Sequence, residues 1–216
     1  MNFEEFTKKT SFDQISIRSR FKFNKWKKHP HLVPKNWQEQ IEEELLRSQE
    51  RFNQVFKIEY PDLPVSQQKK LIQKELENNQ IVILQAETGS GKTTQIPKIA
   101  LEMGLSKKGK IGCTQPRRIA ALTIADRLRD ELKRDDLVSH KIRFIEQSDP
   151  NSKIKIMTDG ILLQELQRDP LLLDYQCIIL DEAHERSLNI DLLLGMFKRI
   201  LKKRKDLKLI ITSATL

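Results

Sequence analysis

Ile81-Val82-Ile83-Leu84-Gln85-Ala86-Glu87-Thr88-Gly89-Ser90-Gly91-Lys92-Thr93-Thr94 is the stretch that decides the fold. Its first four residues form an apolar, largely β-branched run, which reads as a buried strand. A loop follows from Glu87 to Gly91, and a helix opens at Lys92 and runs to Met103. Strand, glycine-bearing loop, helix is the context of a phosphate-binding loop. Gly89 and Gly91 let the backbone turn its N–H groups towards phosphate oxygens, and the helix N-terminus adds a favourable dipole. In that reading Lys92 reaches the β and γ phosphates and the Thr93 hydroxyl ligates Mg²⁺, while Glu87, Thr88, Ser90 and Thr94 complete the cradle. Ala86 stands where the usual pattern has glycine. Its methyl group fits if the backbone there keeps a negative φ.

A second stretch completes the first. Cys177-Ile178-Ile179-Leu180 reads as another buried strand, with Asp181-Glu182-Ala183-His184 at its end. In open parallel sheets ligands bind beyond the carboxyl ends of the strands. Asp181 is placed to hold Mg²⁺ and Glu182 to position or deprotonate an attacking water. Two adjacent carboxylates are tolerated where a cation offsets their repulsion. A P-loop nucleoside triphosphatase is the implied class.

From Val65 onward helices and strands alternate. The pattern predicts helix 66–78, strand 81–85, helix 92–103, strand 110–114 and helix 117–134. A variable stretch follows, then strand 154–158, helix 160–168, strand 177–181, helix 189–204 and strand 208–212. Such alternation implies a mainly parallel sheet covered on both faces, an α/β sandwich of RecA-like type. Residues 1–59 differ. Both tryptophans fall there, prolines punctuate the region, and Trp37 to Phe56 has helical spacing, with Ile41, Leu45, Phe52, Val55 and Phe56 on one face. This is read as a small helical appendage to a domain covering 60–216.

The chain has 216 residues, 38% hydrophobic and 32% charged, enough for one sizeable domain with a solvated surface. A formal charge of +9 points to a polyanionic partner. Cations concentrate between Gln14 and Gln38, where no acid occurs and Phe21, Phe23 and Trp26 are interleaved. Two readings are open: a single-strand nucleic-acid surface with rings for bases, or a helix with its rings in a core and its cations in water. Lys202-Lys203-Arg204-Lys205 reads as the solvated end of a helix. Cys113 and Cys177 fall in predicted strands and read as reduced core residues without metal-ligand spacing. Met1 to Thr10 has no apolar stretch, so a secretory signal is not expected; no run approaches a membrane span, and the cytoplasm is the expected compartment.

Together the blocks resemble a known family. They are Glu87–Gln95, Thr114-Gln115-Pro116-Arg117-Arg118-Ile119-Ala120-Ala121, Thr158-Asp159-Gly160-Ile161-Leu162-Leu163, Asp181–Ser187 and Ser213-Ala214-Thr215. In this order they resemble the first RecA-like domain of DEAH-box RNA helicases, most closely the bacterial HrpA-type subgroup, over residues 60–216. The resemblance implies ATP with Mg²⁺ as cofactor, other NTPs being tolerated, and single-stranded RNA as partner. It implies that Thr114, Arg117, Arg118, Thr158 and Gly160 contact the RNA backbone and that Arg127 stacks on the nucleotide base. It also implies that His184, Ser213 and Thr215 couple the γ-phosphate to strand movement. In the family a second RecA-like domain supplies arginines to the γ-phosphate, worth roughly 10³–10⁵ in rate. The sequence reaches Leu216 directly after the Ser213-Ala214-Thr215 block, so that domain is expected to lie outside it. The expectation is the front half of an ATP-dependent RNA helicase, weakly active by itself. The alternative is a free-standing, ATP-responsive RNA-binding module.

Overall fold

The computed structural model describes residues 3–149 and 151–215. Helices α1 (Phe3–Lys9), α2 (Ile17–Lys28) and α3 (Trp37–Asn53) form the appendage. The main body begins with α4 (Pro64–Gln67) and α5 (Lys69–Asn78), followed by β1 (Ile81–Gln85), α6 (Lys92–Glu102), β2 (Lys110–Gln115) and α7 (Arg118–Leu132). It continues through β3 (Val138–Ile142), β4 (Ile145–Gln147), β5 (Ile154–Thr158), α8 (Asp159–Arg168), β6 (Tyr175–Leu180), α9 (Leu188–Lys203) and β7 (Lys208–Ser213).

The strands form one sheet in the order β1-β7-β6-β2-β5-β3-β4. Every pairing is parallel except β3 with β4, an antiparallel hairpin at one edge. Parallel strands need crossover connections, and α6 to α9 supply them on both faces. Side chains alternate accordingly. Cys177 and Ile179 face the core under α5, α6 and α7, while Ile178 and Leu180 face the core under α8 and α9. This is the expected α/β RecA-like sandwich with a helical N-terminal segment.

Register places the functional blocks side by side. Gln85 pairs with Ser213, Thr114 with Leu180, and Gln115 with Thr158. All five sequence blocks therefore emerge at the carboxyl ends of neighbouring strands.

Several expectations need correction. The stretch between α7 and β5 was left without assignment, yet it forms β3 and β4. Their turn is made by Arg143 and Phe144, and Phe144 adopts φ 71° without a glycine to announce it. The expected helix 66–78 is two helices, broken at Gln68. Val55 is 86% exposed rather than core, because α3 ends at Asn53. Phe56 packs against the main core, as do Ile58 and Tyr60, so the extended linker is bound to the α/β body. Arg204 is fully buried, unlike its lysine neighbours. Its guanidinium donates to the carbonyls of Leu171, Leu172 and Tyr175 and pairs with Asp206 at 2.9 Å, stitching the β6 entrance to the end of α9.

The appendage settles the two readings of its aromatics in one direction. Phe23 and Trp26 are buried with Phe3, Ile15 and Ile41, and Phe3 meets Trp26 and Trp37 edge-on. Phe21 stays partly exposed, at 37%. Lys25, Lys27 and Lys28 lie on the wet face of α2. Cys113 and Cys177 are buried and free; burial pushes the Cys177 thiol up to about 12. Among the described residues no helix is long and apolar enough to cross a membrane.

Candidate functional site

The phosphate loop is shaped by its glycines. Gly89 has φ 82° and Gly91 φ 94°, conformations that L side chains rarely adopt. A Cβ on Gly91 would lie 2.8 Å from Leu63 Cδ1, whereas one on Gly89 would meet nothing within 4 Å. Ala86 is absent from the positive-φ residues, so its methyl group is accommodated as expected. Glu87, Thr88 and Gly89 are exposed, Thr93 is half-buried, and Ser90 is buried with its hydroxyl donating 2.6 Å to the Glu87 carbonyl. The Lys92 ammonium folds back onto its own loop, donating to the carbonyls of Ala86 and Glu87, the latter at 2.8 Å. Gripping a phosphate means exchanging these neutral acceptors for charged ones. Thr94 is buried and its hydroxyl accepts from Gln95 at 2.8 Å, leaving its backbone N–H as its contribution to the helix N-terminus.

Asp181 is fully buried and both its oxygens are engaged. Oδ2 accepts from Gln115 Nε2 at 2.6 Å; Oδ1 accepts from the Thr212 hydroxyl and from the Glu182 backbone N–H at 3.1 Å. Glu182 sits in the left-handed region at φ 55°. Burial, and then the Asp181 charge, raise its carboxyl above the usual range, while His184 and Lys92 pull it back. The loop after β1 and the Asp181-Glu182 turn after β6 flank the end of β7, which brings the two halves of the site to one edge of the sheet. A raised carboxyl is suited to taking a proton from water.

His184 Nδ1 lies 3.3 Å from Glu182 Oε2 and accepts the Ala214 N–H at 3.2 Å. It therefore joins the Asp181-Glu182 turn to the Ser213-Ala214-Thr215 block. Ser213 donates to the Thr215 carbonyl, and the Thr215 N–H donates back to Ser213 Oγ at 3.2 Å.

Asp181, Glu182 and the Thr93 hydroxyl make an all-oxygen donor set. Among the described residues no three His, Cys, Asp or Glu side chains converge as a metal cage. A set this sparse fits Mg²⁺, which keeps waters and takes nucleotide phosphates as further ligands.

Arg127 projects from α7 with its side chain 60% exposed and bonds Glu131 at 2.9 Å. Glu131 also accepts from Gln95 and Lys98 of α6, each at 2.9 Å. Burial favours its neutral form, but these hydrogen bonds outweigh it and hold the carboxyl below its usual range. Arg127 is thus tied to the phosphate-loop helix.

On the neighbouring strand ends, Arg117 and Arg118 are exposed and Arg117 lies 3.5 Å from Glu185. Arg118, Thr158 and Gly160 line one recess, which Arg143 of the β3–β4 turn also reaches. Thr114 does not join them at the surface. It is fully buried, and among the described residues its hydroxyl and Asp159 Oδ1 find no partner at hydrogen-bond geometry. Sequence reasoning assigned no role to Gln115, Thr212, Glu131 or Arg143. Glu131 had a signal in its i+4 spacing from Arg127; the others depend on cross-strand neighbours.

Comparisons with known proteins give the family. A family profile described as DEAD/DEAH box helicase matches residues 65–216. The ATP-dependent RNA helicase HrpA of Escherichia coli is 56% identical over 162 residues, 74% of this chain and 12% of that protein. The HrpA homolog of Haemophilus influenzae is 53% identical over 83% of this chain and 14% of its own length. The ATP-dependent RNA helicase DHX33 of Drosophila melanogaster is 49% identical over 71% and 23%. In the crystal structure of the Escherichia coli DEAH/RHA helicase HrpB, the match has a TM-score of 0.68 at 39% identity, covering 72% of this chain and 20% of that one. The chain thus spans under a quarter of each of these proteins. It belongs to the DEAD/DEAH box helicase family.

Proposed function

We propose that this chain is the first RecA-like, ATP-Mg²⁺-binding domain of an ATP-dependent RNA helicase, and that it holds one wall of the single-stranded RNA path. The observation that carries this reading is the junction at Asp181. Its carboxylate is bonded to Gln115, whose strand leads directly into Arg117 and Arg118, and to Thr212 of β7, the strand that lies between β6 and the β1 strand leading into the phosphate loop.

In this reading the loop N–H groups and Lys92 hold the phosphates, and Thr93 and Asp181 hold Mg²⁺ directly or through water. The ion supplies neutralisation of charge on the β and γ phosphates. Glu182 orients the attacking water and accepts its proton. Arg127 stacks on the base, with little preference among bases. Arg117, Arg118, Thr158, Gly160 and Arg143 meet the RNA through sugar and phosphate, which positions a strand without reading its sequence. His184 carries the state of the γ-phosphate end to Ser213 and Thr215. Unwinding requires the second RecA-like domain of the parent protein, which also supplies the arginines at the γ-phosphate.

The test is ATP turnover by this chain with and without single-stranded RNA, beside Glu182→Gln. The reading expects Mg²⁺-dependent nucleotide binding with turnover roughly 10³–10⁵ below that of a complete site. Whatever turnover exists must vanish in Glu182→Gln. Turnover that survives this substitution contradicts the assignment of the base.

A further inference from the structure

We propose that the seam between the appendage and the amino-terminal end of the sheet is a phosphate-oxyanion site built by Lys108, Lys110 and Lys153. It lies at the opposite end of the strands from the phosphate loop, because Lys110 opens β2 and Lys153 immediately precedes β5. Segments distant in sequence close around it: the start of α2, the second half of α3, the turn before β2 and the turn before β5. They line an open cleft of about 680 Å³, in which Arg18, Arg47, Arg51, Lys108, Lys110 and Lys153 face three carboxylates.

The appendage is bound firmly across this seam. The Ile17 N–H donates 2.9 Å to the Lys108 carbonyl, and Arg18 pairs with Asp169 at 2.7 Å and with Asp174. Arg51 donates to the Lys107 carbonyl at 3.2 Å and pairs with Glu44 at 2.6 Å. These pairs consume most of the carboxylates near the cavity. Glu50, the remaining acid in its lining, is exposed.

The three lysines are left over. Lys153 is only 8% exposed as a residue, its ammonium keeps some contact with solvent, and among the described residues it has neither an ion pair nor a hydrogen bond. Its one attractive charge is Asp136, which is already held by Arg134 at 2.6 and 2.7 Å. Lys110 donates to neutral oxygens only, the Asp149 carbonyl at 3.2 Å and Ser152 Oγ at 2.9 Å. Burial lowers all three ammonium groups; Arg51 and Lys110 lower Lys153 further, while Lys155 on Lys110 is opposed by Asp174, Asp149 and Glu165, and Arg20 on Lys108 by Asp13 and Asp206.

A largely buried ammonium without a paired counter-charge, as at Lys153, is costly, and the half-buried Lys108 and Lys110 add positive charge to the same cleft. An oxyanion in the cleft offsets that charge. Phosphate fits the donor set, since ammonium groups bind it as point charges from several directions. Such a ligand would also clamp the appendage to the sheet, since Lys108 and Lys153 lie on one side of the seam and Arg51 on the other.

The test uses the intact chain labelled with ¹⁵N, titrated with sodium pyrophosphate at constant ionic strength and without Mg²⁺. The amides of Gly89 and Gly91 report the phosphate loop, and those of Lys108, Lys110 and Lys153 report the seam. Saturable shifts at the seam are expected, weakened roughly 10- to 100-fold in Lys153→Met, the equivalent of losing one charge-assisted contact. Shifts at Gly89 and Gly91 should be the same in both proteins, so failure of one site is distinguishable from failure of the other. Lys108→Met serves as a second variant if Lys153→Met disturbs the spectrum. Seam amides that do not move, or that move equally in both variants, overturn the proposal. A single-stranded RNA oligonucleotide is titrated in parallel. If it moves the seam amides and is displaced by pyrophosphate, the phosphate comes from nucleic acid; if only pyrophosphate moves them, it comes from a free phosphoanion.

Discussion

Gln115 Nε2 donates to Asp181 Oδ2 at 2.6 Å, and both side chains are buried. One hydrogen bond thus joins the strand that leads to Arg117 and Arg118 with the strand that ends in Asp181, the carboxylate proposed to hold magnesium. A buried bond to a charged acceptor contributes roughly 1.5–3 kcal/mol. Gln115→Leu is predicted to lower stability to urea by about that amount, and to weaken ATP binding more with Mg²⁺ present than without. An unchanged unfolding midpoint would mean that Thr212 and the Glu182 N–H suffice to hold Asp181.

Glu182 links chemistry to stability. Burial and Asp181 raise its carboxyl, so the folded chain holds this proton more tightly than the unfolded chain does. Its contribution to stability is therefore fully present below the unfolded value of about 4.3 and is lost as pH rises through the folded value. At neutral pH the ionised group is a net cost. Glu182→Gln is predicted to melt above the parent chain at pH 7, with the gap narrowing towards pH 4, while turnover is lost. Equal melting temperatures across that range would remove the proposed strain.

Arg118 is exposed beside Thr158 and Gly160. A phosphate contact there carries no sequence information. Arg118→Ala is predicted to weaken single-stranded RNA binding to a similar degree for all sequences. The slope of log affinity against log salt should fall by about 0.7 for each lost contact. A change confined to particular sequences would indicate base contact instead.

The alternating part of the chain was legible because each strand there is a short apolar run followed by a helix. The order β1-β7-β6-β2-β5 was implied only through the RecA-like class. What the sequence concealed depends on pairs that meet across space. Nothing near Arg204 in the sequence separates it from Lys203 and Lys205; only the carbonyls of Leu171, Leu172 and Tyr175 make it a core residue. Thr114 lies in the block expected to touch RNA, but its place inside β2 turns the hydroxyl inward, and the following residues reach the surface. The β3–β4 hairpin escaped notice because its turn, Arg143-Phe144, has neither glycine nor asparagine. In the appendage, composition allowed exposed or buried rings, and the packing of Phe23 and Trp26 against Phe3 and Ile41 decided for burial.

The central claim is that Lys92, Asp181 and Glu182 form one ATP-Mg²⁺ site, and calorimetric titration with ATP tests it most directly. The parent chain is predicted to bind ATP in the presence of Mg²⁺. Lys92→Ala should abolish detectable binding, because the loop's only ammonium within reach of the phosphates is then gone. ATP affinity unchanged in Lys92→Ala would contradict the account, since the nucleotide would then be held somewhere other than the loop from Glu87 to Thr94.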